Sequence, residues 1–151
     1  MRVMIVEDQT MIRSLLESYF RVEDGYRITA SIPGAKQAVE VCRTSSVDLI
    51  LMDVQMPVMN GYEATKAIRR SSHELAKTIP IIAMTANAFS EDIQHSLAAG
   101  MNAHVSKPVE MKVLEKTIRS IKSGGGGVPN RRSLYSDEWK VTGHRRIKKD
   151  S

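Results

Sequence analysis

The sequence lacks several features that would place it in particular classes of protein. Its 151 residues include one cysteine, Cys42, which excludes an intramolecular disulfide and a metal cluster held by thiolates. No apolar run approaches the roughly 18 residues that a membrane-spanning helix needs, and no signal peptide is visible. These absences predict a soluble protein of the reducing cytoplasm, without a role inside a membrane.

Net positive charge is small over most of the chain and is concentrated near its end. The formal net charge is +5, and from Gly124 onward seven Lys or Arg residues oppose three Asp or Glu residues, so this segment alone carries +4. The preceding residues are nearly neutral. A basic segment can attract nucleic acid in a salt-dependent way, but such a run is usually only solvated. Nucleic acid is therefore not expected as a partner.

Composition favours one globular domain followed by a tail. Hydrophobic residues make up 42% of the chain, which is enough for a core. Gly124 to Gly127 predict a flexible linker, and Val128 to Ser151 is polar and basic without an apolar period. We therefore expect a domain over residues 1–123, and a disordered linker and tail over residues 124–151.

Strand-like and helix-like segments alternate through the first 123 residues. Short apolar runs predict five strands, at residues 2–6, 26–30, 49–52, 81–84 and 103–106. Apolar residues at helical spacing predict a helix after each strand, and the fourth helix has Ser90 as its predicted N-cap and Gly100 as its predicted C-terminal cap. Five such units imply an α/β fold, with a parallel sheet covered by helices on both faces.

The stretch from Asp48 to Gly61 contains the first candidate site residue and the pattern that the other candidates are compared with. A short apolar run, Leu49 to Met52, is followed by Asp53 and then by a loop marked by Pro57. This pattern is typical of a strand buried on both faces, and ligands bind at the carboxyl ends of such strands. Asp53 is thus a candidate site residue, although a turn or helix-capping aspartate is an equally simple interpretation of this residue alone.

Polar side chains follow four of the predicted strands. Glu7 and Asp8 follow the first, Asp53 the third, Thr85 the fourth and Lys107 the fifth. Each has a simpler interpretation when taken alone: a helix cap for the Glu-Asp pair, a turn hydroxyl for the threonine and a solvated lysine. In a parallel sheet, however, all of them converge on one edge. The joint pattern predicts a site with three carboxylates, one hydroxyl and one ammonium group.

Three carboxylates held together repel one another, and a hard divalent cation relieves that repulsion. Mg²⁺ prefers oxygen ligands and retains several waters. Asp8 and Asp53 are candidate direct ligands, and Glu7 is a candidate ligand partly through water. The backbone carbonyl of Gln55 is a further candidate. Magnesium is therefore the expected cofactor.

The same residue types suit phosphoryl transfer. A carboxylate can act as a nucleophile and form an acyl phosphate. Lys107 would offset charge on the transferring group, and the Thr85 hydroxyl could donate a hydrogen bond to a phosphoryl oxygen. Added phosphoryl charge at this edge could move a loop, so the site is also a candidate switch.

These motifs resemble the receiver domain of two-component response regulators over Arg2 to about Ser123. The residues that carry the resemblance are Val6-Glu7-Asp8, Leu51 through Gly61, Met84-Thr85-Ala86 and Ser106-Lys107-Pro108. The resemblance implies a flavodoxin-like, doubly wound sheet of five strands in the order 2-1-3-4-5 with five helices. It implies that Asp53 accepts phosphate from a phosphohistidine on a histidine kinase or histidine phosphotransfer protein, with Mg²⁺. A cis peptide between Lys107 and Pro108 is also implied.

Several residues either depart from the receiver pattern or have roles that the pattern leaves open. His104 stands where many receivers have Tyr or Phe, so it is either part of the switch or a surface histidine on the fifth strand. Gln55 and Asn87 occupy positions that tune loss of the phosphoryl group in receivers. The central motifs resemble receivers attached to hybrid histidine kinases, whereas the start resembles a free-standing regulator. The downstream protein target is not identified by the sequence.

Two other functions are considered. An aspartyl-nucleophile, metal-dependent phosphatase would usually carry a second Asp two residues after the nucleophile, but Gln55 stands there and cannot act as the general acid. A DNA-binding regulator would need an output domain of some 50 residues, and only 24 residues follow Gly127. The main prediction is therefore a phosphoacceptor signalling domain rather than an enzyme acting on other molecules.

Overall fold

The computed structural model describes residues 1–86 and 90–123. Five strands and five helices alternate along these ranges. The strands are β1 (Arg2–Val6), β2 (Arg27–Ile32), β3 (Leu49–Asp53), β4 (Ile81–Thr85) and β5 (Ala103–Ser106). The helices are α1 (Thr10–Val22), α2 (Ala35–Thr44), α3 (Gly61–Arg70), α4 (Ser90–Ala99) and α5 (Met111–Lys122). The predicted alternation of strand and helix is thus confirmed.

The strands form one parallel sheet in the order β2-β1-β3-β4-β5. This is the flavodoxin-like order implied by the resemblance. After β1 the chain adds β2 on one side and then β3 on the other, so the direction of winding reverses there. In open sheets of this kind, ligands bind in the crevice outside the carboxyl ends of the strands at that point of reversal.

Helices cover both faces of the sheet, which leaves its central strands without exposed side chains. Every residue of β3 and β4 is buried. One face packs against α2 and α3, and the other packs against α1 and α5. Because both faces of the central strands are covered, their sequences are continuously apolar. The polar residues that end these strands are therefore held at the margin of a core.

The second strand differs from its predicted position. It ends at Ile32, two residues later than expected, and Tyr26 lies before it. The Tyr26 ring instead packs edge-to-face on Phe20, with 5.0 Å between ring centroids. A register irregularity after Val3 then lets the strand continue until Ile32 pairs with Val6. Tertiary packing and a bulge therefore decide where this edge strand lies.

The ends of α4 agree only in part with the prediction. Gly100 terminates the helix with a positive φ of 107°, and its N–H donates to the Ser96 carbonyl at 3.2 Å. Ser90 is the first residue of α4 rather than the residue before it, so the predicted cap position is one residue too late.

Two expectations concern the chain as a whole. In the ranges that the structure describes, no helix is long and apolar enough to cross a membrane. The predicted linker and tail, residues 124–151, lie outside the described residues. The domain boundary at Ser123 therefore stays a prediction.

Candidate phosphoacceptor site

The sheet register brings the predicted site residues to one edge. Asp53 is the last residue of β3 and pairs with Met84, and Thr85 ends β4 opposite Ser106. Glu7 follows directly on β1, whose last residue Val6 pairs with Met52 in β3. Lys107 follows β5, and its peptide bond to Pro108 is cis, as the resemblance implied.

Lys107 binds two of the three carboxylates. Its Nζ lies 3.0 Å from Glu7 Oε1 and 3.0 Å from Asp53 Oδ1. The lysine side chain is 15% exposed, and the two carboxylate side chains are almost fully buried. The interpretation of Lys107 as a solvated surface lysine is therefore wrong, and the ammonium group is part of the site.

Three carboxylates meet around this single ammonium group. Ligand oxygens of Glu7, Asp8 and Asp53 all lie within 4.8 Å of one another. Among the described residues, Oδ2 of Asp53 is buried without a hydrogen-bond partner. A buried oxygen without a donor is unfavourable, and hard cations coordinate carboxylate oxygens of this kind. The donor set thus fits a divalent cation such as Mg²⁺.

The pKa of Asp53 is set by its burial and by the charged groups around it. Burial, followed by the adjoining Asp8 carboxyl group, raises the pKa of Asp53 to about 7. Lys107 acts in the opposite direction, and the charge on Glu7 raises the pKa further. Burial alone would lower the pKa of Lys107, but its hydrogen bonds to Glu7 and Asp53 outweigh this effect, and the pKa is raised. The ammonium group therefore stays charged and compensates only part of the acidic cluster.

Local hydrogen bonds hold the acidic residues in place. Glu7 Oε2 accepts from the Gln9 N–H at 3.0 Å, and Asp53 Oδ1 accepts from the Gln55 N–H at 3.2 Å. Asp53 therefore has the predicted turn role in addition to its place in the site. Gln9, rather than either acidic residue, is the N-cap of α1. The helix-cap interpretation of the Glu-Asp pair is thus wrong.

Arg13 also contributes to the site, and sequence reasoning missed it. Its Nη1 donates to the Glu7 carbonyl oxygen at 2.8 Å, which fixes the β1–α1 loop. An arginine one turn into a helix is common, so the sequence carries no signal for this contact.

The remaining predicted residues lie at different depths. Thr85 is buried at the end of β4, and its carbonyl accepts from the Lys107 N–H at 2.8 Å. Gln55 is exposed in the loop after β3.

His104 is only 1% exposed, so its interpretation as a surface histidine is wrong. It pairs with Ala83 in β4 and so shares a sheet face with Thr85. Asn87 lies outside the described residues.

Fold and site together define a flavodoxin-like α/β domain with an acidic, lysine-containing site at the carboxyl edge of its sheet. Residues 3–119 match the family model described as the response regulator receiver domain. The chain therefore belongs to the receiver domain family of two-component signalling.

Similar proteins include histidine kinases from distant organisms. Histidine kinase 1 of Arabidopsis thaliana is 51% identical over 78 residues, which are 52% of this chain and 6% of that kinase. Sensor histidine kinase RcsC of Salmonella typhimurium is 36% identical over 118 residues, which are 78% of this chain and 12% of that kinase. The chain thus spans only a small part of the length of these relatives.

A solved structure supports the fold. The receiver domain of sensor histidine kinase PA1611 from Pseudomonas aeruginosa has 35% sequence identity and a TM-score of 0.70, covering 79% of this chain and 94% of that chain. In that structure a magnesium ion is coordinated in the active-site cleft.

Proposed function

We propose that Asp53 is the phosphoacceptor of this receiver domain and takes its phosphoryl group from a phosphohistidine on a histidine kinase or histidine phosphotransfer protein. The observation that carries the proposal is the pair of 3.0 Å contacts that Lys107 makes with Asp53 and Glu7 inside a cluster of three carboxylates. An ammonium group beside a buried carboxylate nucleophile is suited to binding a transferring phosphoryl group.

The proposed reaction exchanges one bond to phosphorus for another. A carboxylate oxygen of Asp53 attacks the phosphorus, an O–P bond forms, and the P–N bond to the donor imidazole breaks. The leaving imidazole nitrogen takes up a proton from solvent. Lys107 binds a phosphoryl oxygen, and the Thr85 hydroxyl donates a hydrogen bond to another. Catalysis of this kind consists mostly of positioning and electrostatic stabilisation.

Magnesium is the proposed cofactor. Glu7, Asp8, Asp53 and the backbone carbonyl of Gln55 would hold it. When bound, Mg²⁺ offsets negative charge on the carboxylates and the phosphoryl group. The fit rests on the acidic cluster and on the buried Asp53 oxygen that lacks a donor among the described residues.

We further propose that phosphorylation switches a protein-interaction surface. The phosphoryl group adds about −1.5 to −2 of charge next to Thr85, and the buried His104 lies on the same face of the sheet. Gln55, and Asn87 outside the described residues, are proposed to tune loss of the phosphoryl group. The cytoplasmic location expected from the sequence stays a prediction.

The phosphatase alternative is not favoured. Membership of the receiver family supports the phosphoacceptor function and not the phosphatase. Gln55 also offers no acidic side chain where such a phosphatase needs one.

A direct test is incubation with acetyl phosphate and Mg²⁺, followed by intact-mass analysis of the parent chain and of Asp53→Ala. We expect one added phosphoryl group on the parent, none on the variant, and none when EDTA removes the metal. Asp24→Asn, at an exposed carboxylate away from the site, is the matched control and should behave like the parent. An unmodified parent, or equal modification of Asp53→Ala, would contradict the proposal.

A further inference from the structure

Gly61, the first residue of α3, lies directly against the backbone of the phosphoacceptor. A Cβ atom on Gly61 would be 2.5 Å from the Asp53 carbonyl oxygen, 2.9 Å from Val54 Cα and 3.0 Å from Met52 Cγ. Two of these three neighbours are backbone atoms, which cannot move aside as a flexible side chain can. The helix can approach the end of β3 this closely only because residue 61 has no side chain.

Hydrogen bonds on both sides hold the segment that follows Asp53. The Gly61 N–H donates to the Val54 carbonyl oxygen at 2.9 Å, and the Val54 N–H donates to the Met84 carbonyl oxygen at 3.0 Å. The backbone between Asp53 and Gln55 is thus fixed between β4 and the start of α3. That backbone carries the proposed nucleophile and the proposed carbonyl ligand.

The start of α3 is itself firmly held. Asn60 Oδ1 accepts from the Glu63 N–H at 2.9 Å, and Glu63 Oε1 accepts from the Asn60 N–H at 2.9 Å. This reciprocal pair is a capping box, which fixes the first turn of a helix. The buried Thr65 hydroxyl also donates to the Gly61 carbonyl at 2.8 Å. Because both sides of the contact are anchored, an added side chain could not be accommodated by local fraying.

We propose that Gly61 is a positioning residue for phosphoryl transfer, and that its close contact with the Asp53 backbone fixes the geometry of the Asp53 carboxylate and the Gln55 carbonyl. The proposal rests on the proposed function of Asp53. A methyl group at residue 61 would push the end of β3 away from α3 and tilt both groups. Supporting contacts around a metal site typically change its affinity by about 10- to 100-fold, and misplacement by about 1 Å can slow a reaction on the order of 10²-fold.

The test is Gly61→Ala, compared with the parent in two readouts. Calorimetric titration gives the Mg²⁺ dissociation constant, and acetyl phosphate at saturating Mg²⁺ gives the phosphorylation rate. We expect Mg²⁺ binding to weaken by about tenfold and the saturated rate to fall by about tenfold or more. A purely structural role would lower the unfolding midpoint without moving either quantity.

Gly100→Ala is the matched control. Gly100 has a φ of 107°, and a Cβ there would meet the flexible Arg69 side chain at 3.2 Å, away from Asp53. Alanine at this position should lower stability through backbone strain and leave Mg²⁺ affinity and the phosphorylation rate at the parent values. The pair thus separates loss of stability from loss of site geometry.

Asn60→Ala covers the case in which Gly61→Ala does not fold. It removes one half of the capping box but keeps the glycine, so it should weaken Mg²⁺ binding in the same direction by a smaller factor. Parent values of Mg²⁺ affinity and rate in a folded Gly61→Ala would overturn the inference, as would parent Mg²⁺ affinity in Asn60→Ala when Gly61→Ala is unfolded. A parent that binds Mg²⁺ but is not phosphorylated would instead count against the proposed function alone.

Discussion

The two ends of the sheet both hold cations against carboxylates, but only one end balances their charges. At the amino end, Arg2 at the start of β1 binds Asp48, with the guanidinium nitrogens Nε and Nη2 each 3.0 Å from a carboxylate oxygen. The backbone N–H of Arg2 adds a third bond, at 2.7 Å. At the carboxyl end, Lys107 faces two carboxylates at 3.0 Å while a third lies close by.

The difference appears in the two aspartates. The hydrogen bond from Arg2 lowers the pKa of Asp48, whereas burial raises the pKa of Asp53 to about 7. The balanced Arg2–Asp48 pair favours the charged form of the carboxylate and links the start of β1 to the start of β3. Burial together with a surplus of carboxylates disfavours the charged form, and a cation or a proton relieves the repulsion. We infer that charge imbalance, rather than the presence of charge, distinguishes the functional end of this sheet.

The largest expected effect comes from removing the cation that binds Glu7 and Asp53 at the carboxyl end. Lys107→Ala leaves Glu7 and Asp53 buried without an ammonium partner, and breaking such a pair is strongly destabilising. Since the lysine is 15% exposed, we expect the metal-free protein to lose about 2 to 3 kcal/mol of unfolding free energy, slightly less than for a fully buried pair. Urea unfolding at pH 8 measures it.

The control for that variant is Lys112→Ala, on the exposed side of α5. It removes the same charge without touching the site and should change stability little. Adding Mg²⁺ should recover part of the loss in Lys107→Ala, because the metal can replace the missing positive charge. Equal stability of the two lysine variants would contradict the described charge imbalance.

An effect of similar size is expected in the pH dependence of metal-free stability. A pKa raised from its ordinary 3.8 to about 7 means that the folded state binds the proton more tightly than the unfolded state. The resulting stabilisation is complete below about pH 4 and is lost as the pH rises through about 7. Asp53→Asn should therefore be more stable than the parent at pH 8 by a few kcal/mol, because the pKa changes by about three and a change of one corresponds to about 1.4 kcal/mol.

The check is thermal unfolding of the parent and Asp53→Asn in EDTA from pH 4 to pH 8. The two midpoints should be close at pH 4 and should separate as the pH rises to about 7. Asp24→Asn, at an exposed carboxylate, should follow the parent. A separation that is constant across the pH range would show that Asp53 does not titrate there.

The smallest effect is expected at the amino end. Asp48→Asn removes a half-buried carboxylate whose ion pair lies at the protein surface, and surface pairs contribute little to stability. Because the pKa of Asp48 is lowered, its contribution is present at neutral pH and is lost as the pH falls through the folded value. The loss in Asp48→Asn should shrink at high salt, and phosphorylation should be unchanged. Slower phosphorylation would show that the two ends are coupled.

The ends of four strands, β1, β3, β4 and β5, were predictable to within one residue because local patterns mark them. Continuous apolar runs identify β3 and β4, and the polar residues that follow the strands are visible in the sequence. A parallel sheet then brings Asp53 and Lys107 together without further information. The parallel arrangement of the strands is enough to place these residues at one edge of the sheet. The order of the strands was implied by the resemblance to receiver domains.

The contacts within the site were less predictable, since they join segments far apart in the chain. Nothing around Lys107 indicates that it binds Glu7 as well as Asp53. The burial of His104 depends on the elements that cover β5, and the contact of Gly61 with Asp53 depends on where α3 begins. Arg69 gives a further case away from the site, because it donates to the Gly100 carbonyl oxygen, which is 31 residues away in the chain. Such contacts have no local sequence pattern.

The central claim is that the carboxyl end of the sheet holds more negative charge than its lysine can balance. The most direct measurement is an NMR titration of the Asp53 carboxyl carbon, identified by its loss in Asp53→Asn, with and without Mg²⁺. We predict a pKa near 7 without metal and a clear fall when Mg²⁺ is added. A pKa at the ordinary aspartate value that does not respond to Mg²⁺ would contradict the claim.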